Sequence, residues 1–214
     1  MRSAIGALAA VVLSGCVAQP VKTDMSAFQA AAPRSILIVP MVNKSLDVDA
    51  PNYVLTTVPV PLAEKGYYVF PVNTTKMVLE QEGFYEADRV HSQPPATLAK
   101  LFDADAVLYV TINRWDAKYV VIATQVTVEF EYHMFSRDGT KIWSEVKHMQ
   151  WQPDNNSSGS PLAQLLTTLV SAAIARAAPN YMPLAQQANR QVFVIGPNAI
   201  PDGPYRAALN QKAR

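Results

Sequence analysis

The sequence predicts a single α/β domain, a mixed sheet with packed helices, tethered through its amino terminus. Three observations predict it. Uncharged apolar runs at Ile36–Val39 and Ala106–Ile112 have the length and character of strands covered on both faces. Residues 119–136 then alternate apolar and polar, the period of a strand with one buried face. Between and after these runs lie segments with helical spacing. Half of the 214 residues are hydrophobic and 16% are charged, enough apolar surface for an ordered core. The 18 Lys and Arg balance 17 Asp and Glu to a formal charge of +1, which argues against nucleic acid as the main partner, since phosphate binding needs a concentrated basic surface.

Residues 1–15 read as a signal peptide. Arg2 supplies a short positive region, and Ala4–Leu13 form an uncharged segment too short to stay in a bilayer as a spanning helix. Leu13-Ser14-Gly15-Cys16 resembles a bacterial lipobox, in which the cysteine thiol receives a diacylglyceryl group, the peptide is cut before it and the new amine is acylated, often with palmitate. Cys16 is the lone cysteine and is an attachment point, not a redox or catalytic thiol. Several acyl chains hold a protein on a membrane where a single one does not. Val17 stands where Asp typically retains a lipoprotein in the inner membrane, so the resemblance points to the outer membrane with the domain in the periplasm. Residues 16–33 read as the lipidated cysteine and a tether of roughly 55 Å reach when extended, with a short helix over Met25–Ala32 behind Asp24.

The single domain then runs from 34 to 195. Arg34–Pro40 is its first strand and Met41–Pro51 a loop carrying Asn43, Lys44, Asp47 and Asp49. Asn52–Lys65 is helical, but Pro59 and Pro61 predict a kink or two pieces. Tyr67–Pro71 is a short strand, Thr74–Glu82 a helix closed by Gly83, and Pro95–Phe102 a helix opened by proline. Ala106–Ile112 is a central strand. Along residues 119–136, Val120, Ile122, Val126, Val128, Phe130, Tyr132 and Met134 share one face, and Gln125, Thr127, Glu129, Glu131 and His133 the other. Ser136-Arg137-Asp138-Gly139-Thr140 is a hairpin turn leading to a partner strand over Thr140–Met149. Pairing Ser136 with Thr140 sets Glu129 opposite Lys147, Glu131 opposite Glu145 and His133 opposite Trp143. After the loop 154–160, Pro161 opens an amphipathic helix with Leu162, Leu165, Leu166 and Leu169 on one side. Its other side carries small uncharged residues, among them Thr168 and Ala172, a candidate self-association surface. Pro183–Gln191 is a short helix leading into Val192–Ile195, and residues 196–214 read as a Pro- and Gly-rich tail.

Motifs for chemistry are scarce. The three histidines, His91, His133 and His148, lack close metal-ligand spacing, and His133 with Glu129 and Glu131 is the one arrangement resembling a metal cluster. Cross-strand ion pairing explains that face more simply, so no metal is expected. There is no GxSxG elbow; Gly159-Ser160 reads as loop followed by helix start, and Asp47 and Asp49 as a solvated loop. No GxGxxG, Walker A or EF-hand pattern is present, so no cofactor and no catalytic residues are assigned. Trp115, Trp143 and Trp151 cluster with Tyr119 and Tyr132 around the expected sheet; they fit core packing, and Trp143 and Trp151 are candidate anchors for a partner.

The ordered segments LSGC, RSILIVPMVNKS, VPLAEKGYYVFPV, DADAVLYVTI, SRDGTKIWS and YMPLAQQANRQ resemble a family of bacterial lipoproteins of unknown function that includes a meningococcal surface-antigen candidate. More distantly, they resemble the curli-assembly lipoprotein, the lipoprotein activators of peptidoglycan synthases and the amino-terminal domain of the Tol translocation protein. The resemblance implies a non-enzymatic protein of assembly, scaffolding, transport or secretion, working through envelope proteins and as a homodimer or higher oligomer. Activation of a peptidoglycan synthase is the alternative, and a periplasmic hydrolase the second. Only residues 119–136 reach transmembrane-strand length, and their second face carries Glu129 and Glu131, so a curli-type pore is not expected.

Overall fold

The computed structural model describes residues 24–120, 123–151 and 181–206. In chain order the elements are α1 (Ser26–Ala31), β1 (Ser35–Ile38), β2 (Val42–Asn43), α2 (Ala50–Thr57), α3 (Pro59–Glu64), β3 (Tyr68–Val69), α4 (Val72–Gln81), α5 (Ala87–His91), α6 (Pro95–Phe102), β4 (Ala106–Val120), β5 (Ala123–Ser136), β6 (Lys141–Trp151) and α7 (Met182–Arg190). A π-helical turn, Gln191–Ile195, continues α7.

Among the described residues six strands form one mixed sheet in the order β3-β1-β4-β5-β6, with β2 also on β4. β1, β2 and β3 run parallel to their neighbours, and β4, β5 and β6 are antiparallel. The continuous apolar run of β1 has the two-sided burial expected of it. Ile36 and Ile38 face a large core with Leu108, Val110, Phe130 and Tyr132, closed by Phe28 of α1, Val54 of α2, Leu62 of α3 and Leu184 of α7. Leu37 and Val39 face a smaller core with Val107 and Tyr109, closed by Leu79 of α4, Val90 of α5 and Leu98 of α6. Helices therefore cover both faces of the parallel part of the sheet.

Proline and backbone chemistry set the helix boundaries. Pro59 has no N–H to continue α2, so Asn52–Lys65 divides into α2 and α3 with Pro59 opening the second. Asp103 takes the left-handed conformation that ends α6. At the amino terminus Asp24 accepts hydrogen bonds from the Ser26 amide and hydroxyl at 2.9 and 3.0 Å. α1 then docks through Phe28, edge-on to Tyr67 at 6.3 Å. Because α1 is packed, the chain between Cys16 and the folded body spans at most about 30 Å, well short of a 17-residue tether.

Several expectations are corrected. The strand expected over 119–136 is the end of one strand and the whole of another: Tyr119 and Val120 belong to β4 and pair with Thr124 and Ala123 of β5. A two-residue period does not mark where one strand ends and the next begins when no Gly, Pro or Asn stands between them. β4 is consequently 15 residues long, and it forms with β5 a long hairpin in place of the single strand expected. The buried β5 residues Val126, Val128 and Phe130 lie in the core, not on a lipid-facing surface. The segment 41–51 is not wholly loop, since Val42–Asn43 forms β2, and α5 is a helix that no periodicity in the sequence marks. Val192–Ile195 continues α7 as a π-helical turn.

Within the Pro- and Gly-rich segment, residues 201–205 bond to residues 65–67. The Gly203 and Tyr205 amides donate to the Lys65 and Gly66 carbonyls at 2.7 and 3.0 Å, the Tyr67 hydroxyl donates to the Pro201 carbonyl at 2.8 Å, and Lys65 pairs with Asp202 at 2.6 Å.

Candidate protein-contact surface

The hairpin β5–β6 positions the side chains singled out by the sequence, and its register differs from the simple one. The Ser136 amide donates to the Thr140 carbonyl at 2.9 Å, as expected. A bulge between Met134 and Phe135 then shifts the pairing by one residue. Met134 lies opposite Trp143, His133 opposite Ser144, Glu131 opposite Val146 and Glu129 opposite His148. The expected pairs Glu129–Lys147, Glu131–Glu145 and His133–Trp143 do not form, because a one-residue slip moves every side chain of β6 to the other face.

One consequence is a polar sheet face that joins two of the histidines to carboxylates. Glu131 Oε1 meets His133 Nε2 at 2.8 Å, and Glu129 Oε2 meets His148 Nδ1 at 3.2 Å. The hydrogen bond from His133 holds the Glu131 carboxyl below its ordinary range. The third, His91 on α5, bonds the Pro40 carbonyl through Nε2 at 2.9 Å and stands edge-on to Tyr109 at 5.0 Å. Burial pushes its pKa down, the Pro40 carbonyl pulls the other way, and the neighbouring His133 adds to the lowering. The buried Tyr109 phenol is pushed up to about 12. Among the described residues, no three His, Cys, Asp or Glu side chains are placed to hold a metal ion. Asn43 and Asp47 organise their own loop: Asn43 Nδ2 donates to the Asp47 carbonyl at 2.8 Å, and Asp47 Oδ1 accepts from the Asp49 amide at 2.9 Å.

The slip also turns Trp143 inward. It is 2% exposed, tilts against Phe193 at 5.6 Å and donates from Nε1 to the Asn198 carbonyl at 3.0 Å. Trp151 is also buried in the large core. Neither therefore presents a surface to a partner, which corrects their assignment as candidate anchors. Trp115, stacked on Tyr53 at 6.2 Å, is core as well. Cys16, Gly159, Ser160, Thr168 and Ala172 lie outside the described residues.

The other feature of β6 is its outer edge. Among the described residues β6 pairs with β5 on one side and with no strand on the other. Glu145 and Lys147 project beside a groove of about 270 Å³ completed by Gln191, Val192, Ile195 and Asn198. Asn198 Nδ2 donates to Glu145 Oε2 at 3.1 Å. Apolar groups flank the edge, with Val146 58% and Ile195 60% exposed. An unpaired edge is a template for another chain. No signal in the sequence marks this surface, since which strand ends a sheet is decided by long-range pairing.

Comparison with known proteins bears on what this architecture belongs to. Residues 23–205 match the family described as "Putative lipoprotein GNA1162-like". The chain belongs to that family. A GNA1162-like relative, the lipoprotein NMB1124/NMB1162 of Neisseria meningitidis serogroup B strain MC58, is 34% identical over 172 residues, covering 79% of this chain and 78% of its own length. The crystal structure of lipoprotein GNA1162 from Neisseria meningitidis superposes with a TM-score of 0.55 at 33% identity, covering 67% of this chain and 99% of that one. A PelC dodecamer from Paraburkholderia phytofirmans gives a TM-score of 0.41 at 18% identity, over 70% of this chain and 87% of that one. Membership in this lipoprotein family implies anchoring to a membrane. Among the described residues no helix is long and apolar enough to cross one.

Proposed function

We propose that this GNA1162-like protein is a non-enzymatic lipoprotein, anchored to the outer membrane through Cys16 with its domain in the periplasm. It acts by protein–protein contact in assembly, scaffolding or transport within the envelope. The open edge of β6 carries the reading. Eleven residues of sheet edge, flanked by the exposed Val146 and Ile195, offer backbone donors and acceptors to an extended segment and apolar side chains to its flanks. Val17 after Cys16 supports the outer membrane, and the short span between Cys16 and α1 would hold the domain near the bilayer surface.

The test is a photo-activatable side chain placed at Val146 of the full-length chain in intact cells, with a second at the exposed Met77 on α4 as control. Protein adducts specific to position 146, on a chain that fractionates with outer membranes and is released by Cys16→Ser, support the proposal. Equal labelling at both positions, or fractionation unchanged by Cys16→Ser, rejects it.

A further inference from the structure

We propose that the loop between β2 and α2, residues 45–49, is a second docking point, where Leu46 and Val48 enter an apolar pocket rimmed by lysine or arginine on a different protein. The proposal goes beyond the reading of the β6 edge and can fail without it.

The segment Ser45-Leu46-Asp47-Val48-Asp49 alternates polar and aliphatic residues, and its aliphatic side chains stand in water. Leu46 is fully exposed and Val48 is 84% exposed. The backbone that carries them is fixed from its base. Asn43 Oδ1 accepts from the Ser45 amide at 3.0 Å and from the Ser45 hydroxyl at 2.7 Å, while Asn43 Nδ2 donates to the Asp47 carbonyl at 2.8 Å. Asp47 Oδ1 accepts from the Asp49 amide at 2.9 Å. The Ala50 amide donates to the Asp47 carbonyl at 3.3 Å, and the Lys44 amide to the Ile112 carbonyl of β4 at 2.8 Å. A single exposed leucine needs no explanation. Two aliphatic side chains held out together on a bonded loop leave little backbone freedom to be lost on binding, which suits an anchor.

The charges around the pair select the partner. Asp47 stands between the two aliphatic residues and Asp49 beyond them. The Asp49 side chain caps nothing in α2, and among the described residues no Lys or Arg pairs with either carboxylate. The adjacent Lys44 acts on the Glu131 carboxyl of the polar sheet face. An acidic tip matches a cationic rim and is repelled by an anionic lipid surface. A two-fold contact between two such tips would bring like carboxylates together, so a second copy does not fit either.

Position agrees with charge. α1 packs through Phe28 on Tyr67, just before β3, where the parallel strands begin. Ile36 pairs with Ala106 of β4 and Asn43 with Ile112, so about 20 Å of strand separates that end from the loop. A domain tethered through α1 therefore directs residues 45–49 away from its own bilayer. Loops that follow the carboxyl ends of parallel strands are also where open α/β sheets gather binding groups.

The test uses the full-length chain in intact cells, with a photo-activatable side chain at Val48 and controls at Met77 and Val146. The expected result is an adduct from position 48, absent from 77, with one other protein whose attached peptide carries Lys or Arg. In that background Leu46→Ser and Asp49→Lys should each cut the adduct about tenfold. Changing the partner's attached Lys or Arg to Glu should restore it with Asp49→Lys. Asn43→Ala, which removes the bonds that fix the loop and keeps both aliphatic groups, should also reduce it. The melting temperature of purified Leu46→Ser and Asp49→Lys should equal that of the parent, because neither side chain is packed. Adducts with lipid, with a second copy or equally at Met77 overturn the proposal, as does an adduct indifferent to Asp49→Lys or not restored by the charge exchange. No adduct at 48 in cells where 146 is labelled overturns it while leaving the β6 edge as a contact surface.

Discussion

Tyr132 of β5 donates a 2.6 Å hydrogen bond to Asn189 of α7, and both residues are fully buried. Asn189 in turn donates to the Thr57 hydroxyl at 2.7 Å, and Thr57 donates to the Val54 carbonyl at 2.7 Å. The chain ties the sheet to α7 and α2 through side chains that water does not reach. Burial pushes the Tyr132 phenol well above its ordinary pKa, with the Glu145 carboxylate adding to the rise. The phenol thus stays a neutral donor.

Breaking that chain at its centre should be costly. Asn189→Leu removes both hydrogen bonds of Asn189 and leaves the Tyr132 hydroxyl buried without an acceptor. A loss of about 2–4 kcal/mol is expected from the unsatisfied hydroxyl and the lost bonds. Tyr132→Phe, which removes the donor itself, should cost less, about 1–2 kcal/mol. In the Asn189→Leu background it should cost less still, because there it removes an unpaired hydroxyl. Urea unfolding of the four proteins measures this; additive losses would contradict a coupled chain.

Acid should destabilise the domain through His91. Burial lowers its folded-state pKa below the ordinary value of 6.5, so the unfolded chain binds more protons in the interval between the two. Stability is therefore complete above pH 6.5 and falls as pH drops toward the folded-state value. Glu131, whose folded pKa is depressed by His133, acts in the same direction but lower, below the ordinary carboxylate value of 4.5. Melting temperature measured between pH 7.5 and 5 should fall, and His91→Gln should flatten that slope. An unchanged slope in the variant would assign the acid sensitivity elsewhere.

The polar face offers a direct check of the slipped register. A double-mutant cycle between Glu129 and His148 should give a coupling of about 0.2–1 kcal/mol, because the pair is partly exposed. The cycle between Glu129 and Lys147, whose side chains lie on opposite faces, should give none. Coupling confined to Glu129–Lys147 would restore the simple register.

How far the sequence reveals this molecule depends on the range of the interactions involved. The strand of 106–112, the proline-split helix of 50–64 and the turn at Gly139 were legible because each is fixed by neighbouring residues. The extension of β4 to Val120 was not, since Arg114, Asp116 and Lys118 interrupt the apolar run that marks its buried half. The bulge at Met134–Phe135 leaves no mark in composition, yet it decides that Trp143 is core and that Glu129 meets His148. His91 comes near His133 through the packing of α5, a relationship absent from local spacing. The candidate contact edge was illegible for the same reason.

The strap formed by residues 201–206 supplies a last prediction, through two glycines in the same backbone region. Gly66 and Gly83 both hold a positive φ, +89° and +85°, which side chains with a Cβ rarely adopt. At Gly83 an added Cβ meets nothing within 4 Å, so Gly83→Ala should cost only the conformational strain, about 1 kcal/mol. At Gly66 the same atom would collide with the Arg206 backbone, in the segment where the Tyr205 amide donates to the Gly66 carbonyl. Gly66→Ala must therefore either strain β3 or push the strap away, and its cost should exceed that of Gly83→Ala by about 1–3 kcal/mol. Displacement of the strap would release the Tyr67 hydroxyl from Pro201 and uncouple Lys65 from Asp202. Hydrogen exchange separates the two responses: faster exchange at the Gly203 and Tyr205 amides in Gly66→Ala alone is the expected result. Equal stability losses in the two variants, with those amides still protected, would mean that residues 203–206 do not pack against Gly66.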